Sequence, residues 1–144
     1  MGEVKYYLNQ VYRIEKMLKM LEREYNQKVK EIDNISISNS EIKLNSIASK
    51  VENKVIELLA LENDIKECKI KKEVAIDEIS KVIDKVDDET LKKLLKLRYL
   101  EFRKWEEIMY ILNYSRRNVF YAHNKALKEV NKILKDCTVL HSFM

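Results

Sequence analysis

Residues 105–130 read WEEIMYILNYSRRNVFYAHNKALKEV. Trp105, Ile108, Ile111 and Leu112 recur at short steps, which predicts a helix over 104–112 with these side chains inward. Asn113-Tyr114 makes a turn, because Asn tolerates the left-handed backbone that ends helices. Ser115 suits the cap of the next helix, leaving Arg116, Arg117 and Asn118 in its first turn. Along that helix Val119, Ala122, His123, Ala126, Leu127, Val130 and Ile133 face inward by spacing. Arg116, Arg117, Phe120, Tyr121, Asn124, Lys125 and Lys128 face out. No acid occurs from Ser115 until Glu129, whereas a solvated face normally mixes Glu with its Lys.

That sorting is the physical case for DNA. A helix held at a fixed angle by its partner can enter the major groove. Arg and Lys there bridge to guanine, and Asn to adenine. Arg116 and Arg117 are the first candidates for base or upper-backbone contacts, followed by Tyr121, Asn124 and Lys125. Phe120 and Lys128 share the face, while Arg103, Lys104, Tyr114 and Ser115 are phosphate candidates. Two adjacent arginines oppose the helix dipole at this end, so an anion there relieves a conflict.

The flanking chain fits an all-α protein. Proline is absent and Gly2 is the only glycine, so the turn residues that strand-rich folds need are scarce. Charged residues make up 36%, alternating in sign among Ile, Leu and Val, as in long amphipathic helices. Residues 1–90 carry 16 Lys/Arg and 19 Asp/Glu, whereas 91–135 carry 12 and 4. A near-neutral arm therefore joins a basic end suited to an anionic partner.

Within the arm, Val4, Tyr7, Val11, Ile14, Leu18, Leu21, Tyr25, Val29 and Ile32 define a stripe, predicting a helix from about Glu3 to Asp33. The stretch NISISNS at 34–40 breaks the pattern, and Ser40 can cap a second helix. Leu44, Ile47, Val51, Leu58, Leu61, Ile65, Cys68, Ala75, Ile79, Val82 and Val86 continue the three-and-four spacing of a coiled coil, broken at Lys54 and Lys72. Each helix has one apolar face, so helix one folds back on helix two, or two chains pair. A homodimer through the N-terminal helices is the expected oligomer. VDDET at 86–90 restarts the chain, with Asp87 or Asp88 as cap, and Leu91 to about Phe102 forms a short basic helix. The expected organisation is a helical hairpin or coiled-coil arm over 1–86, a three-helix helix-turn-helix head over 87–136, and a tail over 137–144.

The segment LRYLEFRKWEEIMYILNYSRRNVFYAHNKALKEV, from Leu97, resembles the fourth conserved region of bacterial sigma factors. The matching residues are Leu95, Arg98, Tyr99, Glu101, Glu107, Ile108, Leu112, Ser115, Val119, Ala126 and Leu127. The combination with Trp105 and His123 looks still more like phage and prophage regulators of the ArpU and RinA kind, whose His corresponds to His123. The resemblance implies control of phage late genes by binding double-stranded DNA, with host RNA polymerase as a further partner and no enzyme activity. Met109 stands where the pattern has a small Ala, and Asn113 where it has Gly.

Two alternatives share these features. A phage packaging component such as a small terminase subunit also joins a DNA-binding head to oligomerising helices, and a coiled-coil adaptor could present a basic head to an acidic protein. His123 is expected as a half-buried, hydrogen-bonded imidazole, and Trp105 as core. Cys137 and His141 are four apart, but two ligands do not close a zinc site. No metal, cofactor or catalytic residue is expected. With two distant cysteines, no signal core and no apolar run of about 18 residues, a cytoplasmic protein with no membrane partner is expected; the resemblance implies that the cell is the bacterial host.

Overall fold

A computed structural model describes residues 2–38 and 44–142, with side chains over 2–34 and 48–136. The protein is all-α: among the described residues every regular element is helical. The elements are α1 (Gly2–Leu8), α2 (Gln10–Ser38), α3 (Leu44–Asp84), α4 (Glu89–Leu95), a π-helical turn (Lys96–Leu100), α5 (Trp105–Leu112) and α6 (Arg116–Ser142). No described helix is long and apolar enough to cross a membrane.

The predicted first helix is interrupted for one residue at Asn9. The ladder continues through it, with Asn9 N–H donating to Lys5 O and Arg13 N–H to Asn9 O. Its expected stop at Asn34 is not observed, since α2 runs to Ser38. Local Asn and Ser preferences are weak against propagation of an established helix. The cap expected at Ser40 lies outside the described residues.

The chain divides into two compact units, Ile14–Lys72, and Met1–Arg13 with Glu73–Met144. The first is an antiparallel hairpin made by α2 and α3. Tyr25 OH donates to Glu62 at 3.0 Å, Lys28 pairs with Glu57 at 2.6 Å and Lys54 with Glu31 at 2.8 Å. Partner numbers fall on α3 as they rise on α2, which fixes the direction. Leu18, Leu61 and Cys68 are buried in the seam. The apolar stripe of this arm therefore finds its mate within the chain. The two lysines that interrupt the stripe have a use: Lys54 reaches Glu31 and Lys72 reaches Glu15 across the hairpin. Cation and carboxylate there match only in one register.

The second unit is larger than the head expected from sequence, and the boundary placed at residue 86 is not where it ends. Its core takes Val4, Leu8 and Val11 from the N-terminus, and Ala75, Ile79, Val82, Ile83 and Val86 from the end of α3. These pack with Leu91, Leu94, Leu95, Leu97 and Tyr99, with Ile108, and with the inner face of α6. α1 lies directly on α6. The apolar period is the same on both sides of residue 72, so periodicity alone carries no sign of the change of partner.

Asp88 caps α4, its Oδ1 accepting from Thr90 N–H at 2.9 Å and Leu91 N–H at 3.2 Å. The helix expected to end near Phe102 widens instead into the π-turn, where Glu101 N–H reaches Lys96 O. Phe102 then adopts φ 57°, and Arg103 N–H closes back on Leu97 O at 2.9 Å. The tail placed at 137–144 does not begin at 137, because α6 continues to Ser142.

Candidate nucleic-acid interface

α5 and α6 are joined by a turn whose chemistry follows the sequence. Asn113 takes the left-handed conformation (φ 57°, ψ 45°) at the end of α5. Its N–H and that of Tyr114 return to Tyr110 O and Met109 O, satisfying carbonyls at the helix end. Ser115 Oγ accepts from Asn118 N–H at 3.2 Å, capping α6.

α6 keeps its two predicted faces. Val119, Ala122, His123, Ala126, Leu127 and Val130 are buried, and Ile133 is half-buried. Arg116, Arg117, Phe120, Tyr121, Asn124, Lys125 and Lys128 are exposed. The inner face of α5 is narrower than expected. Ile108 is buried and Trp105 and Leu112 are half-buried, but Ile111 is 40% exposed. At about 100° per residue the four positions spread over a wide arc of this two-turn helix, and Ile111 falls at its edge.

Tyr114, Tyr121 and Lys125 come together in a shallow groove with Asn118, Thr90 and Asp88. The Asp88 oxygen there is occupied by capping amides. Arg103 is not part of this group. It is held between Glu101 at 3.6 Å and Glu107 at 3.2 Å, which offsets its charge. Arg116 has a looser neighbour, Glu106 at 3.9 Å, both side chains being well exposed. Lys104 lies in a separate depression with Arg13 and Arg98.

Behind the exposed face stands an aromatic stack. Phe120 meets Trp105 edge-on at 5.1 Å, and Trp105 meets His123 at 4.7 Å. His123 stacks on Tyr99 at 5.8 Å, and its Nε2 lies 2.6 Å from the Tyr99 hydroxyl. His123 is only 5% exposed, more enclosed than the half-buried residue expected. Burial, then the cations of Lys5 and Arg98, push its pKa down to about 4, and burial pushes Tyr99 up to about 12. Both groups are neutral near pH 7. The phenol then donates and Nε2 accepts, which assigns the ring proton to Nδ1.

Sequence reasoning passed over Tyr110, which is 89% exposed on α5. Its signal was available, since it stands outside the inward spacing of Ile108 and Leu112. Among the described residues no cluster of His, Cys, Asp and Glu is arranged to hold a metal. The side chains of Cys137 and His141 lie outside the described residues.

A family model described as "Protein of unknown function (DUF1492)" matches residues 35–131, more than half of the chain. The chain belongs to the DUF1492 family. In this DUF1492 protein the matched stretch includes α5, the turn and the exposed first half of α6. No curated protein and no solved structure matches the chain.

Proposed function

We propose that this protein binds double-stranded DNA sequence-specifically through the outward face of α6 and regulates transcription of phage genes. The observation that carries the reading is that face itself: Arg116, Arg117, Asn124, Lys125 and Lys128 stand exposed beside Phe120 and Tyr121, with no acid among them. A bare cationic helix face, backed by a rigid core and preceded by a capped turn, matches what a major-groove reader needs. Ser115 and the first amides of α6 are suited to a phosphate. The resemblance to sigma region four and to ArpU- and RinA-type regulators points the same way, with RNA polymerase as the further partner. Nothing in this mechanism requires a cofactor or bond chemistry.

Two half-sites would be read by two copies. The seam of the hairpin arm is used within the chain, so pairing through the arm would draw on its outer faces, where Met17, Met20, Ile56 and Leu59 are exposed.

The test is selection of bound fragments from phage and host DNA, followed by salt titration of the recovered site. Specific binding that weakens steeply with salt, about one power per phosphate contact, is the expected result. Retention of no fragment over random sequence overturns the reading. Solution mass separates the packaging role, which calls for a ring of many copies, from regulation by a monomer or dimer.

A further inference from the structure

A depression in the second unit is lined by Asn9 between α1 and α2, by Tyr12 and Arg13 at the start of α2, and by Arg98, Phe102 and Lys104 of the π-turn and the segment after it. Three of these six side chains are cationic and none is acidic. Neither arginine has a carboxylate partner among the described residues. Arg13 donates to Tyr6 O at 2.7 Å and stacks on the Tyr6 ring, whereas Arg98 donates to Arg103 O at 3.0 Å and lies over Trp105. Each guanidinium is thus held in place by a neutral carbonyl and a ring, with further N–H donors left over. Lys104 ends the wall at the start of α5, making no side-chain capping bond.

The aromatic side of the depression is built at a cost. Phe102 has φ 57°, a conformation that a bulky residue adopts only under constraint. Glycine is the usual choice at such a helix end. The return is that the Phe102 ring sits edge-on to Tyr12 at 5.6 Å, joining the π-turn to α2. The depression is also close to the outward face of α6. Arg98 lies 4.5 Å over Trp105, whose ring meets Phe120 at 5.1 Å. One indole separates the two.

We propose that this depression is a phosphoryl-anion site, through which the start of α2, Arg98 and Lys104 grip the DNA backbone beside the strand met by α6. This rests on the DNA reading for the source of the phosphate, although not for the anion site itself. Fixed guanidinium donors, a mobile ammonium and an amide suit a phosphodiester, while a carboxylate-free wall leaves their charge uncompensated. A duplex strand presents a phosphate about every 3.4 Å along its axis, so a grip displaced by one ring from the recognition helix finds one in reach.

The full chain is titrated with inorganic pyrophosphate while backbone amides are followed by NMR, and duplex binding is measured against salt. Pyrophosphate is expected to shift the amides of Asn9, Arg13, Phe102 and Lys104, and cognate duplex to displace it. Lys104→Gln is expected to weaken all duplexes alike and to lower the salt slope by about one, and Arg13→Gln with Lys104→Gln by about two. Lys104→Gln serves as the variant that folds normally, because Arg13 also holds Tyr6. Silence of these amides under pyrophosphate overturns the site, and so does duplex binding with an unchanged slope in both variants. Pyrophosphate shifts without any duplex binding keep the anion site, give it a free phosphorylated ligand, and overturn the DNA reading of α6.

Discussion

The Tyr99 hydroxyl lies 2.6 Å from Nε2 of His123, inside the core of the unit that carries α6. This bond connects the π-turn to the first half of α6, and Trp105 carries the contact on to Phe120 at the exposed face. The orientation of the candidate interface therefore depends on a neutral polar pair that is almost wholly buried.

Tyr99→Phe removes the donor and leaves a buried imidazole nitrogen unsatisfied. The expected loss is about 1–3 kcal/mol in urea unfolding. A stability equal to that of the parent would show that Nε2 finds another partner.

Acid should act on the same pair. The folded His123 pKa, about 4, lies below its ordinary 6.5, so the unfolded chain binds the extra proton first. Stability is therefore full above about pH 6.5 and declines as pH falls toward 4, by a contribution on the order of 2–3 kcal/mol. Thermal melts across that window should slope downward with acid, and His123→Leu should flatten the slope.

The hairpin responds lower. Lys54 holds the Glu31 carboxyl below the usual carboxylate range through a hydrogen bond, and Lys28 does the same for Glu57. Their contribution is present above the unfolded carboxylate pKa and is lost as pH falls through the lowered folded values. Lys54→Glu should lower the melting temperature of the arm, and adding Glu31→Lys should recover part of it. Melts in which the double exchange is no better than the single would remove the register role given to this pair.

Arg116→Ala and Arg117→Ala should each weaken cognate duplex binding by about 1–3 kcal/mol and relax base preference, with helicity unchanged. Glu106→Gln, which removes the neighbour of Arg116 at 3.9 Å, should strengthen binding modestly. Fluorescence anisotropy with labelled duplex measures both. Full affinity in the Arg116/Arg117 double variant would eliminate α6 as the reading helix.

At the turn, Asn113→Val should cost about 1–2 kcal/mol, because a β-branched side chain resists the left-handed backbone, whereas Asn113→Gly should be tolerated. Denaturant midpoints of the two variants decide this.

Much of the chain was legible because local rules were enough. Scarce turn residues and sustained three-and-four spacing determined an all-helical protein. The two faces of α6, the left-handed Asn113, the Ser115 cap and the Asp88 cap all follow from side-chain chemistry within a few residues. Other features depend on residues far apart in sequence. An apolar stripe states that a mate is needed but not which one. Only the folded chain pairs Leu18 with the seam of α3, while sending Val4 and Val11 of the same stripe, with Leu8 beside them, into the core beneath α6. The depression of Arg13, Arg98 and Lys104 was invisible for the same reason, since Arg13 and Lys104 are 91 positions apart. Periodicity is a property of one helix, whereas partner choice is decided by the total area and charge that all helices can bury together.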